Sequence, residues 1–120
     1  MLNMPHVVLD KKIDLKEFSN SFKEIFRKDP IIRIQNIFID KDQRTALLPT
    51  TVVESQNQHF LIEINVKDEK TTIRLFPGTD PEKTSGVKTS LGLISINLMK
   101  FFPDVKVIKT NIQDFVSELK

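Results

Sequence analysis

Residues 74–86 read RLFPGTDPEKTSG, and the fold turns on what this stretch is. Before it, apolar residues alternate. After it, VKTSLGLISINLMKFF (87–102) is apolar at steps of three and four. The stretch is therefore the joint where a strand period gives way to a helical one. Two readings compete for it. A phosphate loop of the Walker type needs a strand, then G-x-x-x-x-G-K-[ST], then a helix. Gly78, four intervening residues and Lys83-Thr84 come close, but the second glycine is missing and the spacing is one residue short. Without that glycine the backbone does not easily curl its N–H groups around a phosphate, and Asp80 and Glu82 would repel one.

Helix capping accounts for the same residues. Thr79 and Glu82 have the T-x-x-E spacing, and Pro81 falls in the first turn, where its missing N–H costs nothing. Two acids suit the positive end of a helix dipole. On this reading Gly86 interrupts the helix after one turn, ahead of a main segment at 87–102. Arg74, Lys83 and Lys88 form the candidate binding set: gathered around the 74–88 loop, they would hold a small anion or an acidic partner peptide.

Upstream of the joint, residues 31–76 keep a period of two. In IIRIQNIFID, Ile32 and Ile34 share one parity while Ile37 and Ile39 take the other, so Gln35-Asn36 marks a β-bulge or bend. DKDQR, SQNQ and KDEK read as turns between TALLPTTVVE, HFLIEINV and TTIRLF. Phe60, Ile62, Ile64 and Val66 share a face, and Ile73 and Leu75 point inward. Pro49 cannot donate to a ladder, which places its strand at an edge or beside a bulge. Short connections favour an antiparallel meander.

At the start, HVVLD (6–10) reads as a strand. Asp14 and Glu17 have capping-box spacing, and Leu15, Phe18, Phe22, Ile25 and Phe26 predict a helix over 15–28, stopped by Pro30. Within 87–102, Val87, Leu91, Ile94, Leu98 and Phe101 make one stripe, which Leu93, Ile96 and Met99 widen. A helix apolar over most of its circumference needs cover on two sides, from the last helix or from a second subunit. Pro103 ends it, VKVIKT returns as a strand, and NIQDFVSEL closes as a helix with Ile112, Phe115, Val116 and Leu119 on one face and Asn111 and Asp114 as a cap. The order β-α-β-β-β-β-α-β-α predicts one α+β domain over 1–120, helices packed against a mainly antiparallel sheet.

Composition narrows function. The 120 residues suffice for one core. Cysteine is absent, which removes disulfides, thiolate nucleophiles and Cys-based metal sites. No run is long and apolar enough to span a membrane, and MLNMPHVVLDKK lacks the features of a secretory signal, so a cytoplasmic protein is expected. Net charge is +2, with 18 basic and 16 acidic residues interspersed, unlike the basic stripe of a nucleic-acid binder. His6 and His59 have no partner at metal-ligand spacing, no G-x-S-x-G is present, and no cofactor is implied. Phe101-Phe102 reads as core or subunit contact.

One further motif is MPH at 4–6. Met-Pro, a short strand, an amphipathic helix and another strand resemble the start of the tautomerase superfamily, and of its 5-carboxymethyl-2-hydroxymuconate isomerases in particular. The resemblance covers residues 4 to about 40. It implies a cofactor-independent isomerase in which Pro5 is the general base and Arg33 holds the substrate carboxylate. Such a base needs a free secondary amine, hence a chain that starts at Pro5. The residues themselves favour a small soluble non-catalytic module that self-associates, or docks on a protein partner, through the apolar helix 87–102 or an exposed sheet surface.

Overall fold

In the computed structural model, which describes residues 4–117, the chain opens with β1 (His6–Leu9) and α1 (Leu15–Ser21). Asp14 caps α1, its carboxylate accepting from the Glu17 N–H at 3.0 Å. The helix then ends well short of the expected 15–28. Phe22 is already extended, and β2 (Ile25–Arg27) pairs antiparallel with β3 (Ile31–Ile34). A turn with Asp29 at φ 57° and a cis Asp29–Pro30 bond joins them. Ile25 and Phe26 have helical spacing, but β-branched and aromatic side chains also fit a pleated surface. Here a neighbouring strand overrides the local period.

β4 (Phe38–Ile39) prolongs the line of β3, and both lie along β5 (Thr45–Val53). Ile34 faces Thr50 while Phe38 faces Leu47, so the register slips by one residue between them. This is the bulge that the parity change at Gln35-Asn36 predicts. Pro49 sits opposite the slip. Its carbonyl accepts from the Gln35 N–H at 2.9 Å, so its donorless nitrogen faces the same flank, where the ladder is already broken. β5 itself is internal to the sheet rather than at an edge.

β6 (Asn57–Lys67) and β7 (Lys70–Leu75) complete the meander, followed by α2 (Ser85–Phe101), β8 (Val107–Thr110) and α3 (Gln113–Ser117). The sheet runs β2-β3-β5-β6-β7-β1-β8, with β4 beside β5, and every pairing is antiparallel. The class is α+β, with eight strands in place of six: one extra comes from the end of the expected first helix, the other from division of the 31–39 run at its bulge. Leu119, placed on the last helix by its spacing, lies outside the described residues. Asn111 does not cap that helix. It ties down the chain ahead of β1, accepting from the His6 N–H at 3.0 Å and donating to the Met4 carbonyl at 2.9 Å.

The sheet curls around α2. Ile32, Ile34, Leu48, Ile62, Ile64, Ile73 and Leu75 are fully buried on its inner face, against Leu91, Ile94 and Leu98 of the helix. Each such side chain contributes about 1.5–3 kcal/mol relative to an exposed one. Strands β1, β3, β5 and β7 touch α2, and α3 packs on another side. Ile96 is buried, and Leu93 and Met99 are half-buried in the same core. The apolar surplus of 87–102 is thus covered by its own chain. Ser90 and Ser95, buried within it, donate to the Val87 and Leu91 carbonyls, so no polar group is stranded. Phe101 and Phe102 join Phe18 and Phe22 in an edge-to-face cluster at the end of α2. Among the described residues no helix is long and apolar enough to cross a membrane.

The last strand is locked to the first by a carboxylate. Asp10 accepts from the Lys106 N–H at 2.9 Å, while its own N–H donates to the Lys106 carbonyl. The Lys106 hydrogen bond, helped by Lys11, holds the Asp10 carboxyl below its ordinary value. A depressed folded-state pKa gives stability that is present above about pH 3.9, the usual aspartate value, and lost as pH falls through the folded value. Protection of the Lys106 amide against hydrogen exchange, taken relative to its intrinsic rate at each pH, is therefore expected to fall in that acid window. In Asp10→Asn, exchange should be faster at neutral pH and lose the acid-dependent step.

Candidate binding surface

The loop between β7 and α2 is built from the residues that suggested a phosphate site, and the chain fills that site itself. The N-cap of α2 is Thr84, whose hydroxyl accepts from the Val87 N–H at 3.2 Å. The Thr84 hydroxyl donates to Glu54 at 2.6 Å, and the second carboxylate oxygen of Glu54 accepts from the Gly86 N–H at 2.9 Å. Glu54 comes from the turn after β5, so a carboxylate from the sheet sits where an anion would bind the helix terminus. Gly86 lies inside the first turn and does not interrupt the helix. A β-carbon there would stand 2.6 Å from Val52 Cγ1 and 2.7 Å from a Glu54 carboxylate oxygen, and only glycine permits this approach.

The expected cap at Thr79 and Glu82 forms no helical turn; both residues fasten the loop to the sheet. The Thr79 hydroxyl donates to the Phe76 carbonyl at 3.0 Å and accepts from the Leu61 N–H. The Glu82 N–H donates to Gln58 Oε1 at 2.7 Å, and the Gln58 amide returns a bond to the Glu82 carbonyl. Gln56 donates to the Glu82 carboxylate. The SQNQ turn is therefore the dock for this loop.

The three cations assigned to the loop are not brought together. Arg74 alternates with buried Ile73 and Leu75 and so stands on the outer face of the sheet, where its Nε donates to Glu63 at 2.7 Å. Lys83 donates to Asp80 at 2.7 Å, and this contact holds the Asp80 carboxyl below its ordinary value. Lys88 lies on α2, on the opposite side of the sheet from Arg74, with its ammonium 5.9 Å from the centre of the Phe115 ring. An anion at Arg74 would compete with Glu63, which is only 6% exposed and would lose its counter-charge.

Pro5 and Arg33, paired by the tautomerase likeness, are also apart. Pro5 is buried at the entry to β1, whereas Arg33 is on the outer face of β3, with β5, β6 and β7 between those strands. Arg33 is held by Glu24 at 2.6 Å, a hydrogen bond that lowers the Glu24 pKa and raises that of Arg33. His6 contacts the Met4 carbonyl through Nδ1, and His59 contacts the Thr51 hydroxyl at 3.0 Å.

What the topology does assemble is an outward sheet face of mixed character. Phe26, Ile31 and Phe38, at 53%, 39% and 58% exposure, lie on β2, β3 and β4 with their side chains on this face. Half-buried Leu47, Pro49 and Leu61 continue the apolar surface behind them. The outward register positions also carry Arg33, Lys67, Lys70, Arg74 and Lys109. Among the described strand residues on this face, Glu63 is the one carboxylate, and it is buried beneath Arg74. A groove of about 250 Å³ lined by Asn65, Lys67, Thr72 and Arg74 opens on it. Glu24 lies beside Arg33, and Asp40, Asp68 and Glu69 lie in the connections between strands. No contiguous stretch of sequence shows this face, because its cations are spread over four strands; strand parity combined with pairing order is the signal that finds it.

Comparison of the chain with protein-family models, with curated proteins and with solved structures found no match.

Two substitutions test the filled helix terminus. Glu54→Ala removes two charge-assisted hydrogen bonds and is expected to cost about 1–3 kcal/mol. Gly86→Ala drives a methyl into stiff, buried Val52 and should cost about 1–3 kcal/mol. Urea unfolding measures both.

Proposed function

We propose that this protein is a small non-catalytic binding module whose contact surface is the outward face of its sheet. The observation that supports the reading is the position of the exposed apolar side chains. α2, the most apolar segment of the sequence, is covered by its own chain, while Phe26, Ile31 and Phe38 stand in solvent on three neighbouring strands. Large exposed hydrophobics grouped on one face mark interaction sites more often than chance surface residues do. The ionisable groups with displaced pKa values, Asp10, Glu24, Arg33 and Asp80, are all held in exposed ion pairs or caps rather than poised in a cleft. An anion site at the 74–88 loop has less support, since Glu54 already occupies the helix terminus.

The test separates binding from folding. Phe26→Ser with Phe38→Ser changes two side chains that are more than half exposed, so thermal stability should shift little, by about 0.5 kcal/mol per site. Cross-linking in a lysate of the source cells should recover partners with the wild-type chain and lose them with the double variant. A Lys100→Glu control, on the exposed side of α2, should retain them. Identical recovery by all three proteins would sink the reading.

A further inference from the structure

Resting on that reading of the outer face, we infer that its occupant is an acidic amphipathic polypeptide segment, laid across β3, β5, β6 and β7. Such a segment sets apolar side chains on the Phe26–Ile31–Phe38 surface and carboxylates toward Lys67, Lys70 and, on β8, Lys109.

The charge of the face selects the partner. Of the five outward cationic side chains, Arg33 and Arg74 are paired with Glu24 and Glu63, while Lys67, Lys70 and Lys109 are exposed, so an incoming polypeptide gains from negative charge at those lysines. A second copy presenting the same face would bring cations against cations, because a two-fold contact pairs a surface with itself. Nucleic acid would satisfy the cations, but Ile31, Leu47 and Leu61 offer aliphatic surface that phosphate and sugar do not match. A polypeptide meets both demands at once.

The edges of the sheet argue that the segment lies across the face and does not extend the sheet. β2 has three residues, and β8 carries a register slip between its pairings of Val8 and Leu9, with Ile108 as the extra residue beside Lys109. Short strands, bulges and lysines are the devices that block strand addition. From β3 to β8 the face crosses five strand spacings, about 24 Å at about 4.8 Å each. A helix of about 16 residues covers that length.

The experiment selects peptides of about 15 residues from a random displayed library against the full chain. Enriched sequences should combine Asp or Glu with aliphatic or aromatic residues, and should shift amide resonances of β3, β5, β6 and β7. Their affinity should fall about tenfold in Lys67→Glu/Lys109→Glu and weaken as salt rises. Peptides that map to this face but carry no acidic enrichment would overturn the acidic partner and leave the docking face standing. Peptides that map elsewhere, or bind Phe26→Ser/Phe38→Ser unchanged, would overturn both. A single-stranded oligothymidylate that binds the face more tightly than every selected peptide, or a library that yields no binder, would overturn the inference.

Discussion

A helix as apolar as α2 has to be surrounded, and most of the architecture follows from that requirement. A flat sheet covers one side of a helix. This sheet curls, so that β1, β3, β5 and β7 all reach α2, and α3 packs on a further side. Curvature in an antiparallel sheet comes from bulges and strong twist, and the chain places a register slip between β3 and β4 and another in β8. Pro49 fits the first slip because the donor it lacks would have had no ladder position to fill. The same demand accounts for the small buried residues of the helix: Gly86 lets it approach Val52 closely, and Ser90 and Ser95 satisfy themselves on the helix backbone.

The fold also sorts charge. In the sequence, acids and bases alternate and nearly cancel. In the folded chain, carboxylates concentrate at caps and turns: Asp14 on α1, Glu54 at α2, Asp10 against Lys106, Asp40 in the turn before β5. Each of these positions offers backbone N–H groups, which favour an acceptor with full negative charge. Lysine and arginine take the outward strand positions, where a long stem covers apolar neighbours and the charge stays in water. A near-neutral molecule thereby acquires a face whose outward strand positions carry more cations than carboxylates.

Much of the fold was legible because its signals are local. The alternation through Phe60, Ile62 and Ile64, the parity change at Gln35-Asn36, and the Asp14 cap each depend on residues a few positions apart. The end of α1 was not, since Ile25 and Phe26 satisfy both periods and their strand partner lies across a turn. The cap of α2 was misplaced for a related reason. Thr79-x-x-Glu82 has the right spacing, but Gln56 and Gln58 compete for the loop and shift the start of the helix to Ser85. The set Arg74, Lys83 and Lys88 rests on adjacency along the chain, whereas strand parity puts Arg74 on the outer face of the sheet and Lys88 stands on α2, on the other side.

Burial of α2 also relocates the apolar surplus. Had the helix needed a second subunit, its stripe would have been the interface, and the sheet exterior could have been wholly polar. With the core closed by its own chain, nothing in folding calls for Phe26 or Phe38 to be aromatic. Phe26 faces Arg33 across the β2–β3 pair, and Phe38 faces Leu47. A threonine at either position would serve the strand as well and leave less apolar area in water. Their cost falls on solubility, since exposed aromatics at a sheet margin invite unwanted association. The blunted edges at β2 and β8 limit that hazard without hiding the face, which is the combination expected of a surface kept open for a partner.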